Sequence, residues 1–293
     1  MFIFGQYVSL AVQAKPQAMP VPPEVQLQKK VLAPIYQGTE KDRTQLASIS
    51  ATAVYVMDRN SGSILFEKNA YELLYPASTV KMLTALVARQ NYSLEDPVVI
   101  TNEAFTTGTV VGFQVGQQFS VRELLQGALI ESGNDAAFAL ANHHVLGYEG
   151  FVAAMNQKAT ELHLSQTHLS NPSGLDNSDQ QMTARDLAIL ANELMKDEVL
   201  RQVVSTKQVT LIDQKLGTKY PLFNRNELLG KDGIIGVKTG TTEFAGENLV
   251  TAVSAPDHEF IIVVMSSKDR YADTQRVLNW VKQHYTWETF AQE

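Results

Sequence analysis

Apolar residues recur along this chain in two periods, and the change from one to the other marks its organisation. In "ATAVYVMDRNSGSILFEKNA" (51–70) two β-type runs flank Asn60-Ser61-Gly62, the composition of a hairpin turn. From about Tyr92 to Gly217 the spacing is mostly helical. There "SVRELLQGALIE" puts Val121, Leu124, Leu125, Ala128 and Leu129 on one face, and the pattern stops at Ser132-Gly133-Asn134 before "DAAFALANHH" resumes it. "TARDLAILANELM" opens with Thr183 as N-cap and Asp186 at the capping-box position. Strand-like runs return in "DGIIGVKTGTT", "NLVTAVSAP" and "EFIIVVMSS", the last two joined by Asp257-His258, and "ADTQRVLNWVKQHY" closes with an amphipathic helix.

A hairpin, a helical block at about 92–217, then strands and a helix imply one mainly antiparallel sheet. It is built from both ends of the domain and flanked by helices, with the helical segment inserted: an α/β (α+β) architecture. The folded domain is expected over residues 46–293. Residues 1–45 have a different character. "MFIFGQYVSLAVQA" is apolar and ends in small residues, like the core and cleavage site of a secretory signal, although no lysine or arginine precedes it. The proline-rich residues 15–45 read as a linker or extended arm. Nothing later reaches the ~18 continuous apolar residues that span a bilayer.

Composition narrows the chemistry. The net charge of −7, with lysine and arginine dispersed, argues against a nucleic-acid partner. With no cysteine, thiol nucleophiles, disulfides and thiolate metal sites are excluded. The histidines (His143, His144, His163, His168, His258, His284) lack zinc-binding spacing, so no metal or cofactor is expected.

Three polar segments interrupt the apolar pattern. In "PASTVKMLTAL" (76–86), Ser78 and Lys81 are three apart and so share a helical face. Pro76 favours helix entry, which puts Ser78 in a first turn whose free N–H groups favour an anion. A lysine walled by Met82, Leu83, Leu86 and Val87 would lose its proton readily and serve as base to the serine. A capping serine with a solvated lysine gives the same spacing. Ser132-Gly133-Asn134 is either a plain helix–helix turn or a polar group that meets Lys81, Ser132 relaying a proton and Asn134 binding the lysine or an amide. Lys238-Thr239-Gly240 is either a solvated edge strand or a cation, a hydroxyl and an approachable strand edge offered to a peptide.

In that order, S-x-x-K, S-x-N and K-T-G resemble the signature of penicillin-binding proteins and class A β-lactamases. "YPASTVKMLTALVA", "ALIESGNDAAFALA", "LSNPSGLDNSDQQMTARDLAIL" and "GVKTGTTEFAGENLV" extend the likeness from about Ala51 to Trp280. They resemble the low-molecular-mass penicillin-binding proteins, the serine-type D-alanyl-D-alanine carboxypeptidases. The resemblance implies the β-lactamase/transpeptidase-like fold with an all-helical inserted subdomain. It implies Ser78 as nucleophile toward peptidoglycan stem peptides, Lys81 as base, Ser132 and Asn134 in the relay and in substrate binding, and Lys238 and Thr239 on the terminal carboxylate beside Gly240. Backbone N–H groups of Ser78 and Thr241 would hold the oxyanion, and β-lactam antibiotics would acylate Ser78.

Two departures stand out. Thr241 occupies a position where many relatives have histidine. The sequence also ends at Glu293 without the β-rich domain and amphipathic membrane anchor that many relatives carry, which suggests an exported cell-envelope enzyme, periplasmic or extracellular, without a C-terminal anchor and at most tethered by its N-terminus. An endopeptidase that cuts crosslinks more often has SEN where this chain has SGN, and "NPSGLDNS" lacks the E-x-x-x-N of a β-lactamase deacylating loop. Asn171, Ser173 and Gly174 are assigned to a turn, with a place in the site wall as the alternative that the family resemblance offers; Arg185 and Asp186 are assigned to a helix start, and Arg270, a cation near the last helix that a carboxylate could meet, is left out of the site.

Overall fold

The strands Ala53–Asp58, Gly246–Ser254 and Glu259–Ser267 are buried on both faces because both faces of their sheet are covered. The computed structural model describes residues 30–291. The leader-like segment and residues 15–29 of the proline-rich stretch lie outside the described residues. In chain order, β1 (Lys30–Tyr36) and the short α1 (Glu40–Thr44) lead into the hairpin β2 (Ala53–Asp58) and β3 (Ile64–Lys68). Next come α2 (Lys81–Asn91), β4 (Pro97–Val99), β5 (Gln118–Ser120), α3 (Val121–Gln126), α4 (Asn134–Asn142) and α5 (Gly147–Glu161). They are followed by α6 (Ala184–Leu194), α7 (Glu198–Val204), β6 (Gln208–Ile212) and β7 (Lys219–Phe223). The chain returns through β8 (Ile234–Thr242), β9 (Gly246–Ser254), β10 (Glu259–Ser267), α8 (Arg270–His284) and β11 (Tyr285–Ala291).

The central sheet has five strands in the order β3-β2-β10-β9-β8, every pair antiparallel. The side-chain alternation of β2 assigns its two faces. Ala53, Tyr55 and Met57 join the core shared with the helical layer, whereas Val54 and Val56 join Val277, Trp280 and Val281 of α8. Helix α2 runs through the middle of the helical layer, and every residue from Lys81 to Ala88 is buried. Strand β8 is the edge of the sheet, and the turn that precedes α2 packs against it.

Two details differ from the sequence expectation. Residues read as linker form β1, which pairs antiparallel with β11, so ordered structure begins well before residue 46. Pro34 within β1 masked this, yet a two-stranded ribbon tolerates it opposite Trp287. The ribbon is seated by rings: Tyr36 lies 5.9 Å from Trp280 and 5.2 Å from Tyr285. The inserted segment is not all-helical, because β4 pairs with β5 and β6 with β7, the latter reaching beyond Gly217. Strands of three residues, such as β4 and β5, are too short to declare an alternating pattern.

One ion cluster ties the sheet to the helical layer. Glu259, at the start of β10, accepts from both Arg59 of the β2–β3 hairpin and Arg201 of α7, and Arg59 Nε donates to Asn192 Oδ1 of α6 at 3.0 Å. The Arg201 hydrogen bonds, with lesser help from Ser254 and Arg59, outweigh burial and hold the Glu259 carboxyl at about 2. Because this folded value lies below the unfolded 4.5, the stabilisation is full above about 4.5 and is lost as pH falls toward 2. Glu259→Gln is therefore expected to cost about 2 kcal/mol at pH 7. Urea unfolding of both proteins at pH 7 and pH 3 should show the gap narrowing at the lower pH.

Candidate active site

Ser78 sits in a 3₁₀ turn, Ala77–Val80, that leads directly into α2, rather than inside the α-helix itself. The separation of three still brings the side chains together: Lys81 Nζ lies 2.8 Å from Ser78 Oγ. Lys81 is wholly buried, and its other contacts are Asn134 Oδ1 at 2.7 Å and the Ser173 carbonyl at 2.7 Å. Burial, then the nearby charge of Lys238, drive its pKa well below the ordinary lysine value, with Asp135 opposing weakly. A neutral amine has two N–H bonds and one lone pair. The two N–H bonds match the amide and carbonyl oxygens, which leaves the lone pair facing the Ser78 hydroxyl. Such a lysine can accept the serine proton.

The second segment closes one side. A π-helical turn, Gly127–Glu131, ends α3, and Ser132 then adopts the left-handed region with φ 70°. That conformation is costly for serine and re-aims the chain at the start of α4. The Ser132 hydroxyl accepts from Lys238 Nζ at 2.9 Å, and no hydrogen bond joins it to Lys81. Asn134 turns its amide between Lys81 and the Thr107 carbonyl, to which Nδ2 donates at 2.6 Å. Asp135 accepts from the backbone N–H groups of Val111, Gly112 and Phe113 and so fixes the loop above the site.

The third segment is β8. Lys238 is buried and held at about 7, chiefly by burial and then by the charges of Arg270 and Arg225, against Glu131. Thr239 is buried beside it. Gly240 meets the Ser78 turn: a Cβ there would lie 3.0 Å from Ala77 Cβ and 3.1 Å from Ser78 N. Its role in the fold is thus to let β8 approach Ser78. Thr241 is exposed at the cleft and accepts from Arg270 Nη1 at 2.6 Å, while the same nitrogen donates to the Gly240 carbonyl at 3.1 Å. Of the eight residues singled out in the sequence, Ser78, Asn134 and Thr241 line one cleft of about 540 Å³, Gly240 packs against the Ser78 turn, and five of the eight fall in two hydrogen-bonded groups, Ser78–Lys81–Asn134 and Ser132–Lys238.

Ser173 and Gly174 line the cleft, the wall position that was the alternative to a plain turn, and further residues support them. Asn171 Oδ1 accepts from the N–H groups of Ser173, Gly174 and Leu175, building the turn that presents the Ser173 carbonyl to Lys81. Gly174, at φ +85°, lies so close to Ala77 that a Cβ would fall 1.8 Å from its carbonyl oxygen. Thr84 of α2 anchors the turn through Pro172 O at 2.6 Å. Asp176 and Thr107 line the cleft, and Arg270 reaches it through Thr241. Asn248 bridges the Tyr75 carbonyl and Ser266 N, so the entry to the Ser78 turn is tied to β9 and β10.

A family model described as D-alanyl-D-alanine carboxypeptidase matches residues 39–269. The chain belongs to that family. It is 36% identical over 250 residues to the D-alanyl-D-alanine carboxypeptidase DacC of Escherichia coli, which covers 80% of this chain and 61% of DacC. DacF of Bacillus subtilis is 32% identical over 253 residues, 83% of this chain and 65% of DacF. The chain thus spans about three fifths to two thirds of the length of these relatives. With DacB2 of Mycobacterium tuberculosis, at 35% identity, the match covers 72% of both chains. The crystal structure of the Streptomyces K15 DD-transpeptidase superposes with a TM-score of 0.76 at 30% identity, over 85% of this chain and 100% of that one. The α/β transpeptidase-like fold expected from the sequence is the fold of this family member.

Contact between Gly240 and the Ser78 turn can be tested directly. Gly240→Ala places a methyl against backbone atoms that cannot rotate away. Acylation of Ser78 by a fluorescent penicillin is expected to slow by at least about tenfold, the effect of a small misplacement of a reacting group. Circular dichroism should show the fold retained.

Proposed function

We propose that this protein is a serine D-alanyl-D-alanine carboxypeptidase acting on peptidoglycan stem pentapeptides through an acyl-enzyme on Ser78. The observation that carries the reading is the buried, low-pKa Lys81 whose amine lies 2.8 Å from the Ser78 hydroxyl. Neutral Lys81 takes the hydroxyl proton as Ser78 Oγ bonds to the carbonyl carbon between the two D-alanines. The backbone N–H groups of Ser78 and Thr241 receive the oxyanion, each such donor contributing about 3 kcal/mol. The C–N bond breaks, the departing D-alanine amine takes the proton from Lys81 by way of Ser132 once that hydroxyl turns from Lys238 toward Lys81, and water then releases the shortened peptide.

Lys238 as a cation and Thr239 bind the terminal carboxylate, and Arg270 steadies Thr241 and adds positive field. Asn134 orients Lys81 and the substrate amide. β-Lactams acylate Ser78 by the same route. The domain from residue 46 onward, together with its β1 arm, forms the peptidase unit, and the leader-like N-terminus directs it to the cell envelope. A second reading is transfer of the same acyl group to an amine. It is favoured by the likeness to a DD-transpeptidase over the whole of that chain, and adding an amino acid acceptor to the assay and analysing products separates the two.

Incubation with benzylpenicillin should add one penicilloyl mass to the protein, located on Ser78 and lost in Ser78→Ala; absence of any adduct in the parent protein defeats the reading. Ser132→Ala should lower D-alanine release about 10²-fold, the scale of a lost proton-transfer group. The pH profile follows from Lys238. Its charge is present below about 7 and lost above it, so the second-order rate of acylation should decline as pH rises through that value. A rate that keeps rising to pH 10 would show that the cation is not required.

A further inference from the structure

Asp176 has no part in the chemistry above, yet its side chain lines the cleft. The other side chains that line it, from Ser78 to Thr242, are uncharged, so Asp176 is the one charged residue of the lining itself, with Lys238 buried behind the lining on Ser132. Asp176 is half-buried and meets no cation among the described residues. Thr242 Oγ1 donates to Asp176 Oδ1 at 2.6 Å, and Phe244 N approaches Oδ2 at 3.4 Å, which fixes the carboxylate beside the end of β8.

An unpaired anion in a cleft proposed to take an anionic peptide is unfavourable unless the ligand brings its own cation. The register says where. A peptide lying along the free edge of β8, with its carboxylate at Lys238 and Thr239, extends about 10 Å to reach Thr242, three residues further on. The D-alanyl pair fills that interval, which leaves the residue before the pair beside Thr242 and Asp176.

We propose that Asp176 selects acyl donors whose residue before the D-alanyl pair carries a side-chain ammonium. This rests on the peptidase reading of Ser78. The probes are Nα-acetyl-L-lysyl-D-alanyl-D-alanine and its Nε-acetylated counterpart, compared by kcat/KM for D-alanine release. The wild-type protein should prefer the free ammonium by about fivefold at low salt, the scale of a partly exposed ion pair, and the preference should shrink at high salt. Asp176→Asn should bring the ratio to about one, and Asp176→Lys should invert it. If Asp176 only braces the β8–β9 turn, both donors suffer equally and the ratio stays at its wild-type value, which overturns the proposal. A wild-type ratio near one overturns it without any variant. Penicilloyl adduct formation on Ser78, measured in parallel, separates the two levels: adduct without discrimination defeats the Asp176 assignment alone, and no adduct in the wild-type protein removes both.

Discussion

The site depends on burying two amines in one cleft. Lys81 and Lys238 are both removed from water; burial and the nearby charge of Lys238 favour the neutral form of Lys81, while burial and the charges of Arg270 and Arg225 lower the pKa of Lys238. The contest is settled by hydrogen bonding. Lys81 faces one amide oxygen, one carbonyl and one hydroxyl, a set that a neutral amine satisfies fully. Lys238 faces Ser132 Oγ and the Thr239 carbonyl, with the mouth of the cleft beyond, where an incoming carboxylate would complete a cation's partners. The same burial therefore favours a neutral amine at Lys81 and leaves Lys238 with fewer hydrogen-bond partners than a cation takes.

Such an arrangement needs a rigid frame, and the frame explains the unusual backbone around it. Helix α2 is wrapped on every side, so Lys81 has no route to solvent along its own helix. Gly174 and Gly240 approach the 77–78 turn from opposite sides, and Ala77 itself is held at φ 49° between them. Ser132 is held in the left-handed region by the π-turn before it and the Asp135-anchored loop after it. Two of the non-glycine residues held at positive φ, Ala77 and Ser132, thus stand beside the groups that form the site.

The sequence made the periodic parts of this fold legible: the β2–β3 hairpin, β8 to β10, α6 and α8 all follow from spacing that their burial enforces. It made the motif side chains legible because a nucleophile, a base and a cation must be particular residue types. What it hid was of four kinds. The β1–β11 ribbon joins segments from opposite ends of the domain, and no local pattern announces such a pairing. The Ser173 and Thr107 carbonyls act through the main chain, which any residue supplies, so only the Asn171-built turn and the Asp135-bound loop reveal them. The capping box at Thr183 and Asp186 is half present: Thr183 caps Asp186 N, but the Asp186 carboxylate turns to Thr167 Oγ1 instead of closing the box. Arg270 looked like a surface cation at a helix start, and only the close approach of α8 to β8 makes it a partner of Thr241.

The position of β8 at the sheet edge completes the logic. An uncovered edge strand exposes unpaired N–H and C=O groups and invites association, so folds normally cover or charge it. Here the Ala77–Val80 turn covers the middle of β8 through Gly240, and the 171–176 turn meets its end through Asp176 and Thr242. Between these two supports, around Thr241, a stretch of edge stays open directly beside the nucleophile. An extended peptide that pairs there is held by main-chain bonds that ignore its side chains, so selectivity has to come from the groups at either end of the stretch. A buried cation at one end and a fixed carboxylate at the other give that edge a direction, and a ligand with the opposite polarity would meet like charges at both.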